Sequence, residues 1–204
     1  MSSGRDCLTR STIEGLSLEV IDSSLSGNNL NVNTPAILAE ILKDYALNPL
    51  GFHGVVHWAR VMENGLKIAA VNGADPTIVS LFALFHDSRR ENDGSDYGHG
   101  LRGARLAEQL RGNVFELNNA DFELLYRACE WHTEGKSDPD MTVRTCWDSD
   151  RLDLGRVGIT PDPRYLCTPE ARSPKMIQWA DRRAQKEFVP AIVNEQWGFQ
   201  SAFE

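Results

Sequence analysis

IVSLFALFHD, residues 78–87, is the stretch on which the reading of this chain turns. An unbroken, largely apolar run gives way without transition to an imidazole and a carboxylate. Asp75-Pro76 stands just before it, an acid suited to capping followed by the one residue pre-shaped for a first helical turn, so the segment opens as a helix. Core packing alone would not end such a helix on His86-Asp87. Neighbouring helical residues point about 100° apart, so the two reach one ion only where the helix end faces a cavity. A neutral imidazole with a carboxylate suits Zn, Fe, Mn, Co or Ni. A histidine at a helix C-terminus is also favoured by the helix dipole, so the dipeptide does not define a site by itself.

Outward from this segment the same helical spacing recurs. Thr34-Pro35 starts a helix, Thr34 as cap and Pro35 in the first helical position, and AILAEILKDYAL (36–47) carries it until Asn48-Pro49-Leu50-Gly51. A second helix is expected over 52–71, ended by Asn72-Gly73. Beyond the polar loop SRRENDGSDYG (88–98), helices are expected over 99–111, 119–133, 141–154 and 174–187. No strand-like alternation, internal repeat or block of charge interrupts them. The chain reads as all-α, with a weakly structured segment over 1–33 rich in Ser, Asn and Gly. A single helical bundle over 34–165 follows, then a helical extension over 166–204 that packs back through Trp179, Phe188, Trp197, Phe199 and Phe203.

The 204 residues are 41% hydrophobic and 25% charged, enough to fold around a core without disulfides or a structural metal. A net charge of −8, from 29 acidic and 21 basic residues, argues against a broad basic surface for extended nucleic acid and leaves small-molecule chemistry open. Cys7, Cys129, Cys146 and Cys167 form no close pair and read as free thiols of a reducing compartment. No apolar run approaches the roughly 20 residues of a membrane helix. MSSGRDCLTRST at the start has no apolar signal core, so a cytoplasmic protein without a membrane partner is expected.

Five histidines remain: His53, His57, His86, His99 and His132. In helical bundles, metal sites are built from inward-facing side chains of different helices. His53 and His57, four apart, would share a helix face as a two-histidine zinc site requires. The intervening residues read H-G-V-V-H, with Gly54 where a zinc protease of that type carries its general base, which excludes that class.

Three segments in order, His57-Trp58-Ala59-Arg60-Val61, LFALFHD (81–87) and WDSDRLD (147–153), resemble the HD-domain metal-dependent phosphohydrolase superfamily. His57 precedes the His-Asp pair by 29 positions, and Asp150 follows it by 63, intervals of the family's size. The resemblance covers about residues 50–160, so 34–165 becomes an HD domain with its metal site at the centre. It implies His57, His86, Asp87 and Asp150 as metal ligands. Asp148 and Asp153 compete for the last place, Asp150 being preferred because Arg-Leu follows it directly. Asp96-Tyr97-Gly98-His99-Gly100 with LRGARLA, and Glu130-Trp131-His132-Thr133, resemble segments carrying further histidines in some branches. His99 and His132 are thereby candidates for a second ion, with phosphate contacts as their alternative, and Asp87 would be the catalytic residue shared between two ions. His53 is left as a surface residue or as support for a ligand.

The implied activity is hydrolysis of a phosphate ester, a nucleotide among the candidates, by water activated on one or two divalent transition metals (Mn, Fe, Zn, Co or Ni). Arg89 and Arg90 follow the pair directly and would offer positive charge to phosphoryl oxygens, with Arg102 and Arg105 as weaker candidates. Branches acting on alarmones or deoxynucleoside monophosphates often carry an acid three positions after the pair. Here Arg90 stands there, which counts against both substrates, and no GYP segment points to a cyclic dinucleotide. Two other readings stand beside this one: a diiron oxygenase built on the same six residues, and a binding or regulatory module with a non-catalytic site. Homo-oligomerisation is left open.

Overall fold

The computed structural model describes residues 32–199. The segment expected to be weakly structured lies outside these residues except for its last two positions, as do Cys7 and Phe203. The architecture is all-α, and the described residues contain no strand. Eight α-helices follow in order: α1 (Thr34–Lys43), α2 (Val55–Asn72), α3 (Pro76–Phe85), α4 (His99–Leu110), α5 (Asn119–Trp131), α6 (Met141–Arg151), α7 (Pro174–Gln185) and α8 (Ala191–Glu195). Two 3₁₀ turns, Leu154–Val157 and Pro163–Tyr165, join α6 to α7.

Helix α3 is the axle. Asp75 caps it, accepting from the backbone N–H groups of Thr77 and Ile78 at 2.7 and 3.1 Å. Every residue from Ile78 to Phe85 is buried, because α1, α2, α4, α5 and α6 all pack around it. A helix apolar on all sides must sit this way. Each fully buried Ile, Leu or Phe there contributes roughly 1.5–3 kcal/mol, which offsets the cost of leading two polar side chains into the interior. His86 and Asp87 are 0% and 2% exposed.

Several expected boundaries shift for local reasons. Asn33, not Thr34, caps α1, its side-chain oxygen accepting from Ala36 N–H at 3.2 Å. The Thr34 hydroxyl is thereby free to accept from the Trp197 indole at 3.0 Å. Helix α1 stops at Lys43 rather than 47, and Tyr45 turns to donate its hydroxyl to the His53 carbonyl at 2.7 Å. Helix α2 begins at Val55 rather than 52, since the Asn48-Pro49 turn continues until Pro49 O accepts from Val55 N–H at 2.8 Å. His53 therefore precedes the helix and does not share a face of it with His57. The segment 152–154 leaves α6 as a turn, and α7 ends at Gln185, after which Glu187 takes a positive φ of 51°.

The C-terminal part packs through α7 on Ile68, Leu152, Leu166, Ala171, Met176 and Ala180, with Ile177 and Trp179 against them. The Phe188 carbonyl accepts from Arg60 at 3.1 Å, and Trp197 is buried at 6% exposure. Cys129 and Cys146 are buried free thiols, and Cys167 is free and half-buried. No helix among the described residues is long and apolar enough to cross a membrane.

Candidate metal centre

Five elements deliver six side chains to one buried place. His57 comes from the first turn of α2, His86 and Asp87 from the end of α3, His99 from the start of α4, His132 from the end of α5 and Asp150 from the last turn of α6. They form two groups able to hold a cation: His57, His86 and Asp150, and Asp87, His99 and His132. In the first, His57 Nε2 lies 3.1 Å from His86 Nε2 and 3.4 Å from Asp150 Oδ1. Asp87 Oδ2 stands 3.6 and 3.7 Å from the same two nitrogens. In the second, Asp87 Oδ1 lies 3.2 Å from His99 Nε2 and 3.7 Å from His132 Nε2, the two nitrogens being 2.9 Å apart. Asp87 thus turns one oxygen to each group.

The other nitrogen of each imidazole is committed. His57 Nδ1 lies 2.7 Å from Asp153 Oδ2, His99 Nδ1 2.6 Å from Asp96 O, and His132 Nδ1 2.7 Å from Cys129 O. His86 Nδ1 lies 3.2 and 3.1 Å from the Phe82 and Ala83 carbonyls. These partners only accept, so each Nδ1 carries a proton, and in the neutral form of each ring Nε2 is left with a bare lone pair. Lone pairs and carboxylate oxygens packed at these separations repel one another unless a positive charge lies between them. Ligands about 2.0–2.2 Å from a divalent ion stand about 2.9–3.4 Å from one another, so the spacing is that of a coordination shell before slight contraction.

Electrostatics follow the burial. Desolvation pushes His86 down to about 3, so it is neutral and ready to donate its lone pair. For Asp87, burial acts to raise the carboxyl, but the surrounding imidazoles overcome it and hold it well below the usual range. Asp150 follows the same pattern, burial opposed chiefly by His57 and His86. For His132, burial acts downward, yet contact with Asp87 and Asp150 leaves it raised.

The three acids of WDSDRLD divide their work. Asp150 faces the first group. Asp153 grips His57 and is held in turn by Arg60, with Nε on Oδ1 at 2.7 Å and Nη2 on Oδ2 at 3.0 Å. Asp148 points away, accepting from Cys167 N–H at 2.6 Å and from the Thr168 N–H and hydroxyl, both at 2.7 Å. Burial raises the Asp148 carboxyl, the three donors opposing that.

Beside the six residues opens a cavity of about 1160 Å³. Asp87, His99, His132 and Asp150 reach it, as do His53 and Arg90. His53 binds Asp93 at 2.9 Å, and burial lowers its pKa. Arg90 lies over the second group, with Nη1 3.5 Å from Asp87 Oδ1 and 3.3 Å from His99 Nε2. Arg89 goes elsewhere, its Nη1 donating to the carbonyls of Ile41 and Ser88 at 2.8 and 2.9 Å, and it does not line the cavity. That corrects the expectation that both arginines face a substrate: consecutive residues in a tight turn point apart, and α1 offers Arg89 an unsatisfied carbonyl near its C-terminus. Arg102 binds Asp96 and the Arg89 carbonyl, bracing the loop instead, and Arg105 is exposed.

Two features of the site escape sequence reasoning. Arg60, three positions after His57, is the brace of Asp153, and its signal was the buried cation on the ligand's own helix. Gly100 and Gly103 permit contact that no side chain would: a Cβ on Gly100 would lie 2.3 Å from Cys129 O, and one on Gly103 2.1 Å from Phe85 O. They let α4 press against the ends of α5 and α3, which carry His132 and His86-Asp87. No family model, curated protein or solved structure matches the chain.

Proposed function

We propose that the chain is a metal-dependent hydrolase of a phosphate ester, of the HD type, whose six residues would hold two divalent ions, with Asp87 offering an oxygen to each group. The observation that carries this reading is the pair of Asp87 oxygens, each turned to its own set of bare imidazole nitrogens at 3.2–3.7 Å. His57, His86, Asp150 and Asp87 Oδ2 would hold one ion; Asp87 Oδ1, His99 and His132 would hold the other. Divalent ions so placed lower the pKa of a coordinated water and polarise a phosphoryl oxygen. The chain's own part is to present oriented ligands: Asp153 and Arg60 fix the His57 ring, and four backbone carbonyl contacts fix the rest. The cavity beside them also carries Arg151, Arg156 and Lys136, which could meet phosphoryl oxygens, among the acids Asp93, Asp96, Glu134 and Asp162.

The test is phosphate release from a panel of phosphomonoesters, phosphodiesters and nucleotides, using chelator-stripped protein reloaded with Mn, Co, Fe, Zn or Ni. Activity that requires added metal and disappears in Asp87→Ala and His86→Ala supports the reading. Metal uptake without any phosphate release, together with oxygen consumption by the iron-loaded protein, supports the oxygenase alternative on the same ligands. Function that survives Asp87→Ala supports the binding module.

A further inference from the structure

Resting on the two-ion reading, the geometry points to Arg90 as a built-in competitor for the second ion. We propose that its guanidinium stands in for that cation, so that the two positions fill unequally. The three ligand atoms of the second group are Asp87 Oδ1, His99 Nε2 and His132 Nε2. Arg90 Nη1 touches two of them, 3.3 Å from His99 Nε2 and 3.5 Å from Asp87 Oδ1. His99 has its Nδ1 proton on Asp96 O, so Nε2 has a single lone pair. That lone pair either accepts from Arg90 or coordinates an ion; it cannot do both.

Charge works in the same direction. The Arg90 guanidinium is a cation whose side chain is only 10% exposed, so its field at the second position is weakly screened. Nη2 is anchored on Gly94 O at 2.7 Å and Nε on Asn92 O at 3.3 Å, which keeps the head group over the site. At the first group, among the described residues, no lysine or arginine hydrogen bond reaches His57 Nε2, His86 Nε2 or Asp150, where Arg156 acts through its charge without occupying a ligand atom. The first position therefore fills at low free metal, and the second fills only as Nη1 withdraws toward the cavity.

The experiment is a titration of the chelator-stripped full chain with Mn²⁺, reading free ion by electron paramagnetic resonance and bound metal after equilibrium dialysis. Wild type is expected to take one ion tightly and a second at least about 100-fold more weakly. Arg90→Gln is expected to strengthen the second step about 10- to 100-fold while moving the first less than about three-fold, the range seen when groups around a metal site are altered. Arg90→Met, which keeps the packing of the stem, should do the same, and an unchanged first step certifies that either variant is folded. Two equal steps in wild type, or a second step in both variants no tighter than in wild type, overturns the inference while leaving metal binding intact. A wild-type chain that binds no Mn²⁺ at all overturns the functional reading, and this inference with it.

Discussion

Gly103→Ala is the most informative single change, because a methyl group there sets helix propensity against the geometry of the site. In an isolated helix the substitution would stabilise by about 0.8–1.0 kcal/mol. Here the new Cβ would lie 2.1 Å from Phe85 O and 3.3 Å from His86 O. A comfortable carbon–oxygen contact is about 3.3 Å, so the deficit is about 1.2 Å. The Phe85 carbonyl cannot yield it, since Ser88 N–H and the Ser88 hydroxyl hold it at 3.2 and 2.8 Å. Helix α4 must back away, and His99 goes with it, one turn along the same face. Overpacking of this kind costs about 1–3 kcal/mol, more than the propensity returns. The expected net loss of up to about 2 kcal/mol lowers Tm by up to about 8 °C. A retreat of about 1 Å carries His99 Nε2 beyond shared coordination with Asp87 Oδ1, now 3.2 Å away. Thermal melts followed by circular dichroism, with a metal titration alongside, should therefore show a lower Tm and a second ion bound about 10- to 100-fold more weakly, the first ion unaffected. A variant that melts higher than wild type and binds both ions as before would refute the reasoning.

Asp153→Asn keeps the shape but sets an amide NH₂ against either the His57 Nδ1 proton or the Arg60 donors. The first ion should bind about 10- to 100-fold more weakly by calorimetry, with the second little changed. Trp197→Phe removes the buried hydrogen bond to Thr34 while retaining most of the ring, and urea denaturation should register a loss of about 1 kcal/mol. Arg89→Ala deletes a charged donor to the carbonyls of Ile41 and Ser88, so Tm should fall while Mn²⁺ affinity stays within error. A drop in metal affinity would place Arg89 at the centre after all.

The helices were largely legible because their start and stop signals are local. Asp75-Pro76 and Asn72-Gly73 act within a few residues of themselves, and the structure uses the first as a cap and the second as a stop. Competition between neighbouring caps was not legible. Asn33 supplies the cap, and the Thr34 hydroxyl instead accepts from Trp197, 163 positions away. The candidate ligands could be picked out by order and context, and all six lie at the two metal-competent groups. The roles of Asp148 and Asp153 could not be separated, since one turn of helix decides which carboxylate faces inward and which meets the Cys167-Thr168 backbone. Arg89 and Arg90 were equivalent as letters; only the path of the chain after α3 tells them apart.

The burial of α3 on every side has an evolutionary corollary. A helix with no free face has no position at which a substitution can be tried cheaply, so the reactive pair at its end is locked in with the core. The cavity wall is made differently: Tyr97, Val157, Ile159 and Tyr165 lie on loops or short 3₁₀ turns and are 44–86% exposed. Changes there leave the axle untouched. On the proposed hydrolase reading, one scaffold would trade substrates by rewriting the 92–98 and 154–166 segments while its chemistry stayed the same, and libraries aimed at new specificity belong in those two stretches.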